Sequence, residues 1–471
     1  MNKKPTPKSA LHFWGVSQIG YQLMQNMDTT FFSYFLTDVA LFSAGVAGTI
    51  MTMTSTIDMI YSFIVGAVVG MVPPMKWGRL RSYQLVLPPI CIAFFTLQFT
   101  VISNGIGGAA LIIIAYVITH ACMQTAYTAD FAMVQEIAAT PGDRVKLNAN
   151  RMVGSNLGRL ICSYAVPTFV AAVQSIISET YAYMILACLW AVILTIGYWI
   201  HFRMGRGYEN QEAGGVVKKN DNLKLRDIWQ ALTHNRYLVM ILFSDLSSNV
   251  GSFVIPALNV YYYQYVAATI PNAGLATHLL LTSLFGLIGA WLAGVVGKRV
   301  RNKRATLIVA YASVIAFLLI SRIFALTNGY LFMVFQCLMQ MVVGFTQPLE
   351  GDLYMDVAVY HEWKTGKNCT ALIMGLLNIP VKVSQVIKSL VITGLLVSVG
   401  YVAGMATTPE LSAGIANGYI TAPLIAPAIG FVIMLFLFRL RYQDVDKMQA
   451  EVNARRAARS EKNIEDDIQQ D

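Results

Sequence analysis

Long apolar segments separated by short polar connections follow one another along almost the whole chain. The first six lie near residues 12–38, 45–72, 83–103, 108–136, 152–174 and 179–202. After a charged stretch they resume near residues 236–266, 276–297, 304–325, 329–358, 370–400 and 418–440. A helix of about 20 apolar residues crosses the hydrocarbon core of a bilayer. The pattern therefore predicts an all-α membrane protein with about twelve transmembrane helices.

The composition supports a chain embedded in lipid. Of its 471 residues, 56% are hydrophobic and 13% are charged, whereas a soluble domain carries about 25% charged residues. The net charge of +9 does not indicate a nucleic-acid partner, because the charges cluster in short runs between the apolar segments. The sequence contains no HExxH motif or histidine-rich run, so it predicts neither an enzyme nor a metal site or cofactor.

A charged stretch near the middle divides the chain in two. We predict a first six-helix half at residues 1–202, a central cytoplasmic loop at 203–235 and a second six-helix half at 236–440. Residues 441–471 are predicted to form a cytoplasmic tail, with a surface helix near 445–459 and a disordered end. Two six-helix halves joined by a long cytoplasmic loop follow the plan of major facilitator transporters, which bind substrate at mid-membrane between the halves.

Basic residues mark one side of the membrane. They concentrate in the connections that follow even-numbered segments, whereas the connections after odd-numbered segments nearly lack Lys and Arg. Since cytoplasmic loops carry the excess of Lys and Arg, we predict a multi-pass protein of the cell (inner) membrane with both termini in the cytoplasm. The basic positions are Lys76, Arg79, Arg81, Arg144, Lys146, Lys298, Arg299, Arg301, Lys303, Arg304, Lys364 and Lys367.

Several ionisable residues fall inside the apolar segments. A charge at the bilayer centre costs at least about 2.5–3.5 kcal/mol, so each such residue is a functional hypothesis. These residues are expected to line the cavity between the halves, to pair with one another, or to lie near an interface. They are Asp28, Asp58, Asp130, Arg151, Arg159, Asp245, Asp352, Asp356 and Lys382.

Asp58 lies in the middle of the second segment. Thr54, Ser55, Tyr61 and Ser62 lie three or four residues from it, on the same face of a helix. Oxygen ligands around one carboxylate suit a small hard cation, and the carboxylate alone suits a proton. A lone acid that is satisfied by neighbouring hydroxyl groups is the structural alternative.

Lys382 follows Pro380 in the eleventh segment. A lysine at that depth needs a counter-charge, so we expect Lys382 to pair with an acid of the other half and to couple the movement of the two halves. His120 is interpreted as a packed polar residue in preference to a proton relay. Asp245 and Asp352 are interpreted as helix-end or inter-helix residues outside the site.

Asp130 lies in the fourth segment, with Tyr127 one turn before it and Phe131 beside it. A carboxylate accepts hydrogen bonds from sugar hydroxyl groups, and an aromatic ring packs on the C–H face of a sugar. The three residues therefore predict a sugar site. An acid at the cytoplasmic end of the helix is the alternative that stays open.

Three stretches of the chain are similar to a known family. The first comprises FLTDV at residues 35–39 and WGRLR at residues 77–81, and the second is DRVKLNANRM at residues 143–152. The third and most specific is MDVAVYHEWKTGK at residues 355–367, with Lys382 downstream of it. Together they resemble the glycoside–pentoside–hexuronide:cation symporter family, and the resemblance runs from about residue 12 to residue 440.

The resemblance implies a major facilitator fold that moves a sugar or glycoside together with sodium, lithium or a proton. By position, Asp58 matches the main cation-site carboxylate of the family's second helix. Lys382 matches the lysine of the eleventh helix that links the cation and sugar sites. Arg151 matches the arginine of the fifth helix near the sugar.

The departures from the family pattern bear on the coupling ion. The second cation carboxylate of the family is here Ser62, and the sugar-binding acid of the first helix is Gln22. The acid of the fourth helix falls on Tyr127, although Asp130 lies one turn further on. Hard cations favour several charged oxygens, so the loss of paired carboxylates favours a proton over sodium.

The sequence thus predicts a monomeric secondary transporter that lies in the lipid bilayer and imports a sugar, glycoside or uronide with a cation by alternating access. Two alternatives stay open: a transporter or exporter of another small solute without cation coupling, and a transport-inactive membrane sensor. The predicted cation-coupling residues are Asp58, Ser62 and Lys382. The predicted substrate-binding residues are Gln22, Tyr127, Asp130, Phe131, Arg151 and Lys382.

Overall fold

The computed structural model describes residues 4–71, 75–209, 233, 235–296, 302–366 and 368–470. Throughout these ranges the chain forms helices joined by short turns, and no strand occurs in them. Most of the predicted central loop lies outside the described residues, as do Lys298, Arg299, Arg301 and Lys367. The all-α prediction is confirmed for the part of the chain that is described.

Six helical segments precede the central loop. The first, α1, is a succession of Lys8–Phe13, Val16–Thr30, Phe32–Tyr34 and the π-helical turn Phe35–Val39. The next five are single helices: α2 is Ala44–Met71, α3 is Arg79–Gln98, α4 is Ile106–Ile137, α5 is Pro141–Val173 and α6 is Glu179–Met204.

Six further segments follow the loop, and a tail helix ends the chain. They are α7 (Arg236–Tyr265), α8 (Leu275–Val296), α9 (Lys303–Phe324), α10 (Gly329–Thr365), α11 (Thr370–Gly375 and Asn378–Ser398), α12 (Pro409–Val432 and the π-helical Ile433–Leu437) and the tail helix α13 (Tyr442–Gln470). A short 3₁₀ turn, Ala267–Thr269, connects α7 to α8.

Ten of the described helices, α3 to α12, are long and apolar enough to cross a membrane. The segmented α1 and the 28-residue α2 complete the set of about twelve that the sequence predicted.

Some predicted boundaries are wrong. Helix α5 begins at Pro141, where the Thr140 hydroxyl caps its first turn, so Arg144 and Lys146 belong to the helix and not to a connection. The tail helix extends through Gln470, into the end predicted to be disordered.

Glycine allows α5 to approach α1 closely. A Cβ added at Gly154 would lie 2.0 Å from the carbonyl oxygen of Gly15, and one added at Gly158 would lie 2.5 Å from that of Ile19. Helices α8 and α10 meet in the same way, where a Cβ on Gly344 would lie 2.0 Å from the carbonyl oxygen of Gly286. Small residues drive the close packing of helices in membranes, and here they fix the frame of each half.

The two halves contact each other along α2 and α11, which run antiparallel. Gly48 packs against Thr393, and the Ser55 and Ser389 hydroxyl oxygens lie 3.3 Å apart. Helices α5 and α8 also meet, where the Ser163 and Ser283 hydroxyl oxygens are separated by 3.4 Å. The cavity between the halves is therefore bounded by helices of both.

The ends of α1 and α7 close one side of the molecule. The Thr37 hydroxyl lies 2.8 Å from the Tyr261 hydroxyl, and the Tyr265 hydroxyl donates to the Asp38 carboxylate. We call these two contacts the outer contact, because the sequence predicts that this side faces away from the cytoplasm. The described conformation is closed at the outer contact.

Candidate functional site

Three helices of the first half bring two carboxylates and an imidazole together. His120 of α4 lies between them: its Nε2 is 2.9 Å from Asp28 Oδ2 of α1, and its Nδ1 is 3.2 Å from Asp58 Oδ1 of α2. All three side chains are at most 4% exposed. We call Asp28, Asp58 and His120 the acid–histidine cluster. Such buried charges are stable only when they are paired and hydrogen-bonded.

Helix α11 of the second half adds Lys382 to this cluster. The Lys382 ammonium lies 2.9 Å from Asp58 Oδ2, and the Gln124 amide also donates to Asp58. The Asp58 side chain is 1% exposed and that of Lys382 is 17% exposed, so the carboxylate is buried and the lysine is partly accessible to solvent. Lys382 is thus paired with an acid of the other half, and its role in coupling stays a prediction.

The acid–histidine cluster has further neighbours. The Gln98 amide of α3 donates to Asp28 Oδ1 at 2.6 Å, and the Tyr116 ring stacks on His120 with centroids 3.9 Å apart. Lys388 of α11 lies one and a half turns beyond Lys382 and donates to the backbone carbonyl of Thr29 at 3.2 Å. A second buried ammonium therefore lies next to the cluster.

His120 is buried and packed, as interpreted, and it also has two carboxylate partners, so a role in proton transfer stays a prediction. Tyr116, His120 and Gln124 follow each other at intervals of four residues, which places them on one helix face. That spacing is the local sequence signal for this face of α4. Asp28 and Asp58 are distant from His120 along the chain, and the sequence predictions do not include Lys388.

The predicted hydroxyl ligands of Asp58 bond elsewhere. The Thr54 hydroxyl donates to the Ile50 carbonyl at 2.8 Å, and the Ser62 hydroxyl donates to the Met59 carbonyl at 2.7 Å. Serine and threonine in a helix commonly bond back to the preceding turn, which the side-chain spacing alone does not reveal. The structure therefore does not bring Ser62 to the Asp58 carboxylate.

Ser55 and Tyr61 also have partners other than Asp58. The Ser55 hydroxyl faces Ser389 of α11, and the Tyr61 hydroxyl lies 2.7 Å from that of Thr125. The hydrogen-bond partners of Asp58 within the described residues are all nitrogen groups, of His120, Gln124 and Lys382. The expected shell of oxygen ligands is absent from the described surroundings of Asp58.

Arg151 of α5 lies between two aromatic rings of α4. Its guanidinium carbon is 4.9 Å from the Tyr127 ring centroid and 4.8 Å from that of Phe131. Arg151 Nε lies 3.8 Å from Asp130 Oδ2, whereas the buried Nη1 and Nη2 atoms have no hydrogen-bond partner among the described residues. A buried donor without a partner costs about 1–3 kcal/mol, so a hydrogen-bond acceptor on a bound ligand would be stabilised at this guanidinium.

Asp130 has a different environment from the one the sequence suggested. Its carboxylate is fully buried and lies 2.6 Å from His201 Nδ1 of α6. Gln84 donates to it at 3.1 Å and Gln18 at 3.4 Å. Side chains of α1, α3 and α6 hydrogen-bond to the carboxylate, so Asp130 links these helices of the first half. Direct contact between Asp130 and a substrate is not available in this conformation.

The other predicted substrate residues lie in more than one place. The Tyr127 ring, beside Arg151, also packs against Tyr21 of α1, with centroids 4.6 Å apart. Gln22 lies where α1 meets α5, because a Cβ on Gly158 would be 2.9 Å from the Gln22 Cβ. Phe131 is 51% exposed, and Lys382 lies at Asp58. Substrate binding by these residues stays a prediction.

A narrow cavity lies between the halves beside the acid–histidine cluster. Helices α1, α2, α4 and α11 form its walls, and its polar lining includes Gln25, Asp28, Gln385, Lys388 and Ser389.

The acids of the second half do not join this site. Asp245 accepts hydrogen bonds from Tyr354 at 3.0 Å and from Asn249 at 2.6 Å, and Asp356 pairs with Lys303 at 3.0 Å. Within the described ranges, no group of three His, Cys, Asp or Glu side chains is arranged to hold a metal ion.

Known proteins are similar to this chain in sequence and in fold. The profile of the family described as MFS/sugar transport protein, where MFS is the major facilitator superfamily, matches residues 13–442. The chain belongs to this family. The isoprimeverose transporter of Lactiplantibacillus pentosus is 23% identical over 442 residues, covering 93% of this chain and 90% of the relative. The glucuronide carrier protein homolog of Escherichia coli K12 is 24% identical over 433 residues, covering 90% of each.

A solved structure confirms the architecture. The crystal structure of a nucleoside transporter superimposes on this fold with a TM-score of 0.66 at 12% identity, covering 92% of this chain and all of that one. The major facilitator fold predicted from the sequence is therefore confirmed, as is the resemblance to the family of sugar–cation symporters. The protein is a multi-pass membrane transporter and not an enzyme.

Proposed function

We propose that this transporter imports a sugar, glycoside or uronide together with a cation by alternating access, and that the cation is a proton rather than sodium. The observation that carries the proposal is the Asp58–Lys382 ion pair, which joins the two halves one helical turn from the cavity-lining residues Ser55 and Gln385. Movement of the halves must break or form this pair. An event at Asp58 is therefore linked to the conformation of the whole transporter.

The partners of Asp58 support a proton as the coupling ion. Sodium, as a hard cation, requires several oxygen ligands, whereas His120, Gln124 and Lys382 direct nitrogen-bound hydrogens at this carboxylate. An imidazole gains and loses a proton near physiological pH, so His120 supplies the group that a proton site at Asp58 needs. The surroundings of Asp58 thus resemble a proton site more closely than a metal-ion site.

The free donors of Arg151 support a substrate rich in hydroxyl or carboxylate groups. Acceptor oxygens of a sugar would form the hydrogen bonds that Nη1 and Nη2 of Arg151 lack. The Tyr127 and Phe131 rings lie beside the guanidinium, and aromatic rings next to polar donors are suited to sugars. One relative is named for isoprimeverose and another for glucuronides. We therefore place the substrate among sugars and glycosides, with a carboxylated sugar as the form that best matches a guanidinium.

Uptake into proteoliposomes tests the proposal. Purified protein is assayed with labelled isoprimeverose and labelled methyl β-glucuronide, with an inward proton gradient and an inward sodium gradient imposed in turn. We expect the proton gradient to drive accumulation of at least one of these sugars and the sodium gradient to have no effect. Accumulation driven by sodium alone would contradict the proton, and no accumulation in either gradient would contradict the proposed function.

A variant of Arg151 tests the substrate class. Hydrogen bonds to charged groups contribute about 1.5–3 kcal/mol, so Arg151→Gln should weaken the apparent affinity for the glucuronide by about 10- to 100-fold. Arg144→Gln removes the same charge from the exposed first turns of α5 and serves as the matched control. Equal affinities in both variants would exclude Arg151 from the substrate site.

A further inference from the structure

We propose that the coupling proton is held on His120 between Asp28 and Asp58, and that Lys382 controls its release. This inference deepens the proposed function and rests on it. Asp28, Asp58 and His120 lie on three different helices, so only their packing brings the two carboxylates to the two nitrogens of one imidazole.

The position of His120 fits a group that gains and loses one proton. Both of its ring nitrogens face a carboxylate oxygen, at 2.9 Å and 3.2 Å. When both nitrogens carry hydrogen, each donates to one carboxylate. When the imidazole is neutral, one nitrogen offers only a lone pair to a carboxylate oxygen, so a proton must be supplied from that carboxylate or the contact becomes repulsive. The acid–histidine cluster therefore binds one exchangeable proton.

The charges around His120 explain how this proton responds to conformation. With His120 protonated, the negative charges of Asp28 and Asp58 are balanced by His120 and by Lys382. Lys388 is a further positive charge, and the remaining neighbours are neutral. The described groups that face His120 or its partners are Asp28 and Tyr21 on α1, Asp58 on α2, Gln98 on α3, Tyr116 and Gln124 on α4, Cys162 on α5, and Lys382 and Lys388 on α11.

Asp28, Asp58 and His120 belong to the first half, whereas Lys382 lies on α11 of the second half. In the described conformation, which is closed at the outer contact, its ammonium lies 2.9 Å from Asp58. A nearby positive charge favours loss of a proton from the cluster, and its removal favours retention. The proton would therefore bind when the halves part and Lys382 leaves Asp58, and it would pass to water on the cytoplasmic side when the pair forms again.

The first half contains a second carboxylate–histidine pair that serves as an internal comparison. His201 Nδ1 lies 2.6 Å from Asp130, but the other ring nitrogen of His201 has no hydrogen-bond partner in the described chain. The described partners of Asp130 all come from the first half. A histidine that only stabilises packing would resemble His201, whereas His120 bonds two carboxylates of which one also bonds the second half.

Exchange of sugar at equal concentrations separates the proton site from transport itself. The test compares the wild type with His120→Gln, using whichever of the two labelled sugars the wild type accumulates. We expect His120→Gln to lose accumulation driven by a proton gradient and to retain exchange, with an exchange rate that no longer varies between about pH 5 and 8. Asp28→Asn should behave alike and provides a second variant if His120→Gln does not fold.

The matched control is His278→Gln, on α8. His278 is also buried, but its hydrogen-bond partner is the Tyr263 hydroxyl at 3.1 Å, and within the described residues no carboxylate forms an ion pair with it. This variant should keep both proton-driven accumulation and the pH dependence of exchange. Unchanged accumulation and pH dependence in His120→Gln and Asp28→Asn would overturn the inference while leaving the proposed function intact.

A titration of the purified protein without any sugar gives an independent test. Nitrogen-15 NMR of labelled histidine reports the protonation of each ring, and the His120 signal is the one lost in His120→Gln. We expect this signal to titrate, and Lys382→Met to move its midpoint to higher pH by about one unit or more, because a positive charge is removed. A His120 signal that does not titrate, or a midpoint unaffected by Lys382→Met, would overturn the inference even if no sugar were transported.

Discussion

Asp58 and Asp130 are both buried acids of the first half that contact a histidine, but they differ in what surrounds them. The described partners of Asp130 all come from the first half, through α1, α3, α5 and α6. Asp58 contacts His120 of its own half and Lys382 of the second half. A movement of one half against the other therefore leaves the environment of Asp130 unchanged and alters that of Asp58.

This difference suggests a division of labour between the two acids. A buried acid whose partners move together keeps one environment, and Asp130 keeps its contacts with His201 and Arg151 within the first half. A buried acid shared between moving bodies has two discrete environments, and that is what a coupled transporter requires. The same chemical pair, a carboxylate and an imidazole, thus serves structure in one place and is proposed to serve coupling in the other.

The largest expected effect concerns Asp58. Asp58→Asn removes the charge that pairs with Lys382 while keeping the shape of the side chain, so the driving ion should no longer be linked to sugar movement. We expect accumulation against a gradient to disappear, so that sugar reaches equal concentrations on both sides, whereas exchange persists. Uptake into proteoliposomes measures both. Undiminished uphill transport would remove Asp58 from the coupling site.

The next effect concerns Asp130, whose substitution should lower the stability of the folded protein more than it alters coupling. Asp130→Asn leaves His201 and Arg151 without their buried anion, and breaking a buried pair costs about 3–5 kcal/mol. We expect the free energy of unfolding in detergent to fall by about this amount. Asp352→Asn, at an exposed acid of α10, is the control and should change it little. A stable Asp130→Asn variant that has lost proton coupling would reverse the roles assigned to the two acids.

A smaller effect is expected where the rigid frame around Asp130 is packed. Gly154→Ala places a Cβ 2.0 Å from the Gly15 carbonyl oxygen, and overpacking of this kind typically costs about 1–3 kcal/mol. Gly66→Ala on α2 is the matched control, because nothing lies within 4 Å of the added Cβ. Thermal unfolding compares the two variants. Equal stability would show that α1 and α5 are not held as closely as the fixed frame requires.

The smallest effect is expected at the tail, outside both sites. The Arg456 guanidinium of α13 forms two hydrogen bonds to Glu362 at the end of α10, with its side chain half exposed. Exposed ion pairs contribute about 0–1 kcal/mol, so Arg456→Gln should leave overall stability nearly unchanged. Limited proteolysis after Leu440 should nevertheless become faster. A loss of sugar uptake in this variant would show that the tail contributes to transport.

Local patterns were sufficient to predict the helices and the family. Apolar length predicted the membrane segments, because every backbone polar group in lipid must be bonded within its own helix. The residue pattern at 355–367 resembles that of the family, and the match over residues 13–442 confirmed the family. Helix ends were less certain: α5 begins at a Thr140 cap and Pro141, ahead of the apolar residues on which the prediction depended.

The candidate site was predictable only in part. Asp58 and Lys382 stood out because each is a charge in an apolar segment. His120 did not, since a histidine in a helix is usually a packed residue, and its two partners lie on other helices. Ser62 was included because it is one turn from Asp58, yet its hydroxyl bonds to the Met59 carbonyl. Spacing along one helix does not determine which of several acceptors a short side chain will choose.

The sequence by itself therefore determined which segments enter the membrane, that they form two six-helix halves, and which charges must find partners there. Hydrophobic burial and the cost of a charge in lipid depend on residue type and segment length, which are local properties. The tertiary structure alone decided that His120 bridges Asp28 and Asp58, that Lys382 joins them from the second half, and that Asp130 remains inside the first. Those pairings depend on how helices that are far apart in the chain are rotated and where they cross. Packing at small residues sets this geometry, and it cannot be read from any single segment.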